Sequence, residues 1–327
     1  MNWLEVLIYT SKQGLEVITG ILLQLGVTGF VIQDPDDFNE FLKEEGTTWD
    51  YMDEEVEKLK DIETSIKVYL ADNAQGNETL IEFKNTVERL KASDLLGEYG
   101  KLTIELGSVN EEDWANNWKK YFKPFEVGEK FVIKPTWETY TVPTNRMILE
   151  IDPSSSFGTG QHYTTQLCIE QLEKYITPQC AVLDMGCGSG ILSIAAVLLG
   201  SKAVTAVDID ENSVNIAEIN FKQNAIDQKV FKTYCGNVME NDTLAHEITA
   251  QKYDVVVANI VADVILMMKD ILNECMKDDG ILIASGIIGE RADEVRQGLE
   301  ESGFLILDTT EKNDWVAITA RLKHSII

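Results

Sequence analysis

Three glycines at alternate positions close a hydrophobic run in Val182-Leu183-Asp184-Met185-Gly186-Cys187-Gly188-Ser189-Gly190, and Ile191 to Ala196 then continues as a helix-compatible stretch. Glycine takes backbone angles closed to other residues and lets the main chain pass beside a ligand without side-chain collision. Asp208 lies 22 residues beyond Gly186, closing the next hydrophobic run as Val207-Asp208-Ile209-Asp210. A carboxylate there offers acceptor oxygens to both hydroxyls of a ribose. A nicotinamide dinucleotide fingerprint would need G-x-G-x-x-G, whose third glycine lets the helix pack on the strand. Ile191 occupies that position and disfavours such a ligand.

A second constellation precedes the first. Asp152-Pro153-Ser154-Ser155-Ser156-Phe157-Gly158-Thr159-Gly160-Gln161-His162-Tyr163-Thr164-Thr165 is rich in hydroxyls and glycine and ends where a helix begins. Alone, it is a turn or a phosphate nest. Downstream, Asn259-Ile260-Val261-Ala262 follows the strand-like Val255-Val256-Val257-Ala258. The D-x-G-x-G-x-G spacing from Asp184 resembles the loop of class I S-adenosylmethionine (SAM) methyltransferases. With F-G-T-G-x-H-x-T-T before it and the N-I-x-A segment after it, the chain resembles the PrmA family, the methyltransferases of large-subunit ribosomal protein eleven. It departs from the family pattern at Gln161-His162-Tyr163-Thr164-Thr165, where T-H-P-T-T is usual, and at Val261, where Leu is usual.

The resemblance implies SAM contacts at Thr165, at Gly186 with Gly188 and Gly190 in the same turn, at Asp208 beside the ribose, and at Asn259 beside the transferred methyl. It also implies a protein substrate methylated, up to three times, on α-amino or lysine ε-amino groups. Such an amine must present a neutral lone pair, which an α-amino group with a reference pKa of about 8 does more readily than a lysine at about 10.4. Asn259 suits the catalytic position, because its side-chain oxygen accepts an N–H without titrating. His162 is a second catalytic candidate, as a proton relay or as a hydrogen-bonding member of the loop. Cys187 lies between motif glycines and is expected only to line the pocket, while His246 and His324 are expected at the surface.

These residues need a scaffold. The first hundred positions read as strand, helix, strand, strand, helix, strand: Trp3 to Thr10, Ser11 to Leu25, Phe30 to Ile32, Ile66 to Ala71, Thr79 to Ala92 and Lys101 to Gly107. That order is the split βαβ, or ferredoxin-like, arrangement. Leu15, Ile18, Leu22 and Leu25 form the stripe of the first helix, with Gly26 placed to end it, and Leu80, Phe83, Val87 and Leu90 form that of the second. Beyond Phe125, strands near Ala181–Asp184, Ala203–Asp208, Val230–Tyr234, Tyr253–Ala258, Gly280–Ala284, Phe304–Asp308 and Trp315–Leu322 alternate with helices, the habit of a mostly parallel sheet covered on both faces. The expected fold class is therefore α/β with a seven-stranded sheet; the resemblance makes it a Rossmann-like methyltransferase domain at 125–327, preceded by an α+β ferredoxin-like domain at 1–107 for substrate recognition. A helical linker at 108–124 carries Trp114 and Trp118 on one face.

Charge narrows the partners. The 327 residues hold 28 Lys and Arg against 55 Asp and Glu, a net −27. Such a surface repels phosphate backbones, so no direct nucleic-acid binding is expected, and a basic ribosomal protein is the favoured partner. Asp34 to Glu63 is densest, with 13 acidic residues and 3 lysines, and reads either as a solvated insertion or as a docking surface for a basic protein. An adenine-modifying nucleic-acid enzyme would carry N-P-P-Y where Asn259-Ile260-Val261-Ala262 stands. Methylation of another protein or of a small-molecule amine is the alternative substrate class, and a SAM-binding module without activity is the non-enzyme reading. No metal site is expected, since five scattered cysteines without a C-x-x-C pair and three distant histidines lack ligand spacing. Reduced thiols, no basic n-region before an apolar run and no apolar stretch of about 20 residues point to a soluble cytoplasmic protein, for which a two-domain monomer is the default expectation.

Overall fold

The computed structural model describes residues 3–27, 29–33, 63–107, 122–141, 145–152 and 159–323. The acidic stretch 34–62, the Trp114 and Trp118 segment, the Phe157-Gly158 pair and His324 lie outside them. The chain divides into two compact units, Met1–Tyr121 and Phe122–Ile327.

In the first unit, β1 (Trp3–Tyr9), β2 (Phe30–Gln33), β3 (Ser65–Ala71) and β4 (Thr103–Leu106) form one sheet in the order β2-β3-β1-β4. All three pairings are antiparallel. With helices α1 (Lys12–Gln24) after β1 and α2 (Ala74–Ser93) after β3, this is the split βαβ order expected of a ferredoxin-like unit. Leu4, Val6 and Ile8 alternate inward from β1 and meet Ile18 and Leu22 of α1 and Leu80, Phe83 and Val87 of α2 in one core. Ser11 caps α1 by accepting from the Gly14 N–H, and Gly26, at φ +74°, ends it. The Gly26 and Val27 amides donate back to Leu23 and Leu22, so orphan carbonyls of the last turn are satisfied. α2 begins earlier than the apolar stripe suggests, because the Asn73 side chain accepts from the Gly76 N–H and starts the helix there.

The second unit carries a small sheet of β5 (Phe125–Val127), β6 (Phe131–Pro135) and β7 (Met147–Ile151), in that order, which sequence periodicity does not reveal. The unit takes in Phe122, three residues before the expected start, because that buried ring packs edge-on against Trp137. Its main sheet comprises β8 (Ala181–Met185), β9 (Ala203–Asp208), β10 (Phe231–Cys235), β11 (Tyr253–Asn259), β12 (Met276–Ile288), β13 (Phe304–Lys312) and β14 (Trp315–Leu322). The order is β10-β9-β8-β11-β12-β14-β13, parallel except for β14, which runs antiparallel to both neighbours. The helices are α3 (Tyr163–Tyr175), α4 (Ile191–Leu198), α5 (Glu211–Gln223), α6 (Asp242–Thr249), α7 (Ala262–Cys275) and α8 (Ala292–Glu301). β8 is buried along its whole length, as a central strand covered on both faces must be. From β8 the chain winds outward to β9 and β10, then returns to β11 on the other side. The crevice at the carboxyl ends of β8 and β11 is thus the topological switch point, where open α/β sheets hold ligands.

Candidate active site

Each carboxyl end at the switch point delivers one of the expected residues. Past β8 the chain turns through Gly186, Gly188 and Gly190 at φ +80°, +53° and +80°, a left-handed path that favours glycine at all three positions. The Gly186 and Cys187 amides donate to the Val207 carbonyl at 2.8 and 3.0 Å, which pulls the turn over β9. Asp208, at the end of β9 and largely buried, accepts from the Gly188 N–H at 2.8 Å and from the Asp210 N–H at 3.0 Å, one on each carboxylate oxygen. A carboxylate offers about four acceptor positions, more than these two bonds use. Asp210 in turn caps α5 through the Asn212 and Ser213 amides.

Asn259 ends β11. Its Nδ2 donates to Thr165 Oγ1, buried in the first turn of α3, at 3.4 Å, while its Oδ1 is buried with no hydrogen-bond partner. A buried amide oxygen without a donor is costly unless a bound group supplies one. Asn259 is held from behind by its neighbour: a Cβ on Gly186 would stand 2.4 Å from Ile260 Cγ2, and one on Gly286 2.4 Å from the Ile260 carbonyl oxygen. Ile260 therefore fits only between two glycines. Gly286 itself has φ +84° and lies where the β12 to β14 register shifts.

A family model described as Ribosomal protein L11 methyltransferase (PrmA) matches residues 2–323. The chain belongs to the PrmA family. It is 39% identical over 323 residues to a ribosomal protein L11 methyltransferase of Clostridium perfringens strain SM101, covering 98% of this chain and 99% of that protein. It is 38% identical over 326 residues to one of Alkaliphilus oremlandii, covering 99% of each. The crystal structure of a ribosomal protein L11 methylase from Lactobacillus delbrueckii subsp. bulgaricus superposes with a TM-score of 0.55 at 31% identity, over 62% of this chain and all of that one.

Within this PrmA chain, Thr165 and Asn259 meet; Gly186 is tied to the Val207 carbonyl and Gly188 to the Asp208 carboxylate, while the Gly190 amide closes the turn on the Cys187 carbonyl at 2.8 Å. His162 caps α3: its Nδ1 lies 2.7 Å from Thr164 Oγ1 and accepts from the Thr164 N–H, and its ring packs edge-on against Trp315 at 4.7 Å. Burial lowers its pKa to about 4, so the imidazole is neutral at neutral pH. Cys187 is buried and its thiol is pushed well above the ordinary range, chiefly by desolvation. His246 is exposed. Asp184, fully buried beneath the glycine turn, accepts from Ser193 Oγ at 2.6 Å, and desolvation raises it to about 7.

Sequence reasoning missed Gly286, Asn220 and Asn224. Gly286 follows Ser285 with no motif around it. The asparagines, four apart on α5, read as part of a polar helix face, yet Asn220 is wholly buried. The residues present fit S-adenosylmethionine, with a left-handed glycine turn for close backbone approach, a carboxylate at β9 and an orphaned acceptor at β11.

Proposed function

We propose that this chain is a SAM-dependent protein N-methyltransferase that methylates, up to three times, α-amino groups, lysine ε-amino groups or both on the L11-type ribosomal protein. SAM is the cofactor of this enzyme class, and when bound it supplies an electrophilic methyl on its sulfonium. The observation that carries the reading is the buried, unpartnered Oδ1 of Asn259. That oxygen accepts one N–H of the incoming amine and aims its lone pair, while Nδ2 is tethered to Thr165. Asn259 does not titrate, so the amine loses its proton to solvent on or before docking. Rate comes from alignment of the neutral amine with the methyl.

Gly186, Gly188 and Gly190 cradle the cofactor, Asp208 takes its ribose hydroxyls, and Thr165 lines the methyl end. Of the two roles open to His162, the structural one is carried forward, since its Nδ1 is engaged by Thr164 and its ring by Trp315. The first unit serves substrate recognition, the enzyme works in the cytoplasm as a monomer, and the net −27 favours the basic protein over RNA. Among the described residues no helix is long and apolar enough to cross a membrane.

The test supplies purified enzyme and methyl-labelled SAM to the ribosomal protein and, separately, to naked ribosomal RNA. Label is expected in the protein alone, on amines identified by mass spectrometry. Label in RNA alone would overturn the proposal.

A further inference from the structure

α5 is bonded to β7 as though it were another strand. Residues four apart on a helix are separated by about 6.0 Å along its axis, and residues two apart on a strand by about 6.6 Å. Asn224 and Asn220 exploit that match. Asn224 accepts from the Glu150 N–H at 2.9 Å and donates to the Glu150 carbonyl at 2.6 Å. Asn220 accepts from the Asp152 N–H at 3.0 Å and donates to the Asp152 carbonyl at 3.1 Å. The two amides perform the same edge-filling task.

Asn220 does one thing more. Its Nδ2 also donates, at 2.9 Å, to the carbonyl of Ser189, between Gly188 and Gly190. One fully buried amide thus has both donor hydrogens and its oxygen engaged, joining the glycine turn to Asp152, just past β7. One turn earlier on α5, Ala217 closes over the turn: a Cβ on Gly190 would stand 3.0 Å from that of Ala217. α5 therefore grips the glycine turn at two points, one apolar and one polar. Ser189 is buried, and its carbonyl accepts from Asn220.

We infer that Asn220 is a positioning residue for the cofactor, fixing the Ser189 peptide so that the amides of the glycine turn face the bound molecule, whereas Asn224 only fastens α5 to β7. This rests on the assignment of the glycine turn as the SAM site.

The test measures SAM affinity by calorimetry and methyl transfer in the full chain for Asn220→Ala, Asn220→Asp, Asn224→Ala and Asp208→Ala. Asn220→Asp keeps the acceptor for Asp152 and loses both donors, so it informs if the alanine variant fails to fold. Either Asn220 variant is expected to raise the SAM Kd and KM at least tenfold, with kcat at saturating SAM within threefold of the parent. Asn224→Ala, which removes a similar set of helix-to-strand bonds, should lower Tm comparably and leave the SAM Kd within twofold. Equal losses of affinity in the Asn220 and Asn224 variants, or an unchanged Kd in the Asn220 variants, would overturn the inference. The Asp208→Ala arm separates the levels: if it loses affinity and the Asn220 variants do not, only the positioning role fails. If neither loses affinity, the assignment of the SAM site falls with it.

Discussion

Asn259 donates to Thr165 across 3.4 Å, and the pair joins the end of β11 to the first turn of α3 while leaving the Asn259 oxygen buried and unpaired. Removing the amide with Asn259→Ala should lower kcat roughly a hundredfold through lost alignment of the amine. Single-turnover transfer at saturating SAM measures it. A rate within threefold of the parent would show that the amine is held elsewhere.

Asp208→Ala removes both acceptor oxygens from the proposed ribose position and the partner of the Gly188 N–H. SAM should bind more weakly by roughly 1–3 kcal/mol. Calorimetric titration gives the number, and an affinity equal to the parent's would put the ribose elsewhere.

Gly186→Ala places a methyl against Ile260 and a side chain at φ +80°. The combined steric and backbone cost should be about 2–4 kcal/mol. In an Ile260→Ala background the steric share should vanish and the backbone share remain, so the two substitutions are non-additive in thermal melts. An identical loss in both backgrounds would mean that Ile260 is not what the new methyl meets.

His162 and Asp184 titrate in opposite senses. His162, lowered from 6.5 to about 4, is charged only in the unfolded chain between those values, so stability rises with pH there. Asp184, raised from 3.8 to about 7, keeps its proton only in the folded chain, so its contribution is full below 3.8 and is lost as pH rises through 7. Each slope is about 1.4 kcal/mol per pH unit, and between pH 4.5 and 6.5 they offset one another. Asp184→Asn removes one of them. Its unfolding free energy, from urea melts at pH 4.5, 5.5 and 6.5, should climb faster than the parent's by about that slope; parallel curves would mean that Asp184 is ionised in the fold.

Residues 122–327, expressed alone, should bind SAM within twofold of the full chain, because the glycine turn, Asp208, Thr165 and Asn259 all belong to that unit. Methyl transfer to the ribosomal protein should be lost. Normal transfer by the shortened chain would remove the recognition role from the first unit.

Gly186, Asp208 and Asn259 are legible in the sequence because each stands where a buried hydrophobic run stops, and in a parallel sheet those ends converge on one crevice. Other features are silent for physical reasons. Phe131–Pro135 contains Lys134, whose charge argues against a buried strand; in the fold it pairs with Glu150 at 2.8 Å and donates to the Glu138 carbonyl. β12 spans 13 residues because Met276 pairs with Tyr253 ahead of the polar Lys277-Asp278-Asp279, which reads as a turn. Asn220 and Asn224 look like solvated helix residues until a strand edge is known to lie beside them.

β7 is the edge of its sheet, and an edge strand with free amides at alternate residues is a template onto which another chain can add. Here its carboxyl-terminal part is occupied, at Glu150 and just past the strand at Asp152, by side chains of a helix, which has no backbone groups to pass the pairing on. Two asparagines thereby guard against aggregation at contact range, where a net charge of −27 is no guarantee, since salt screens it.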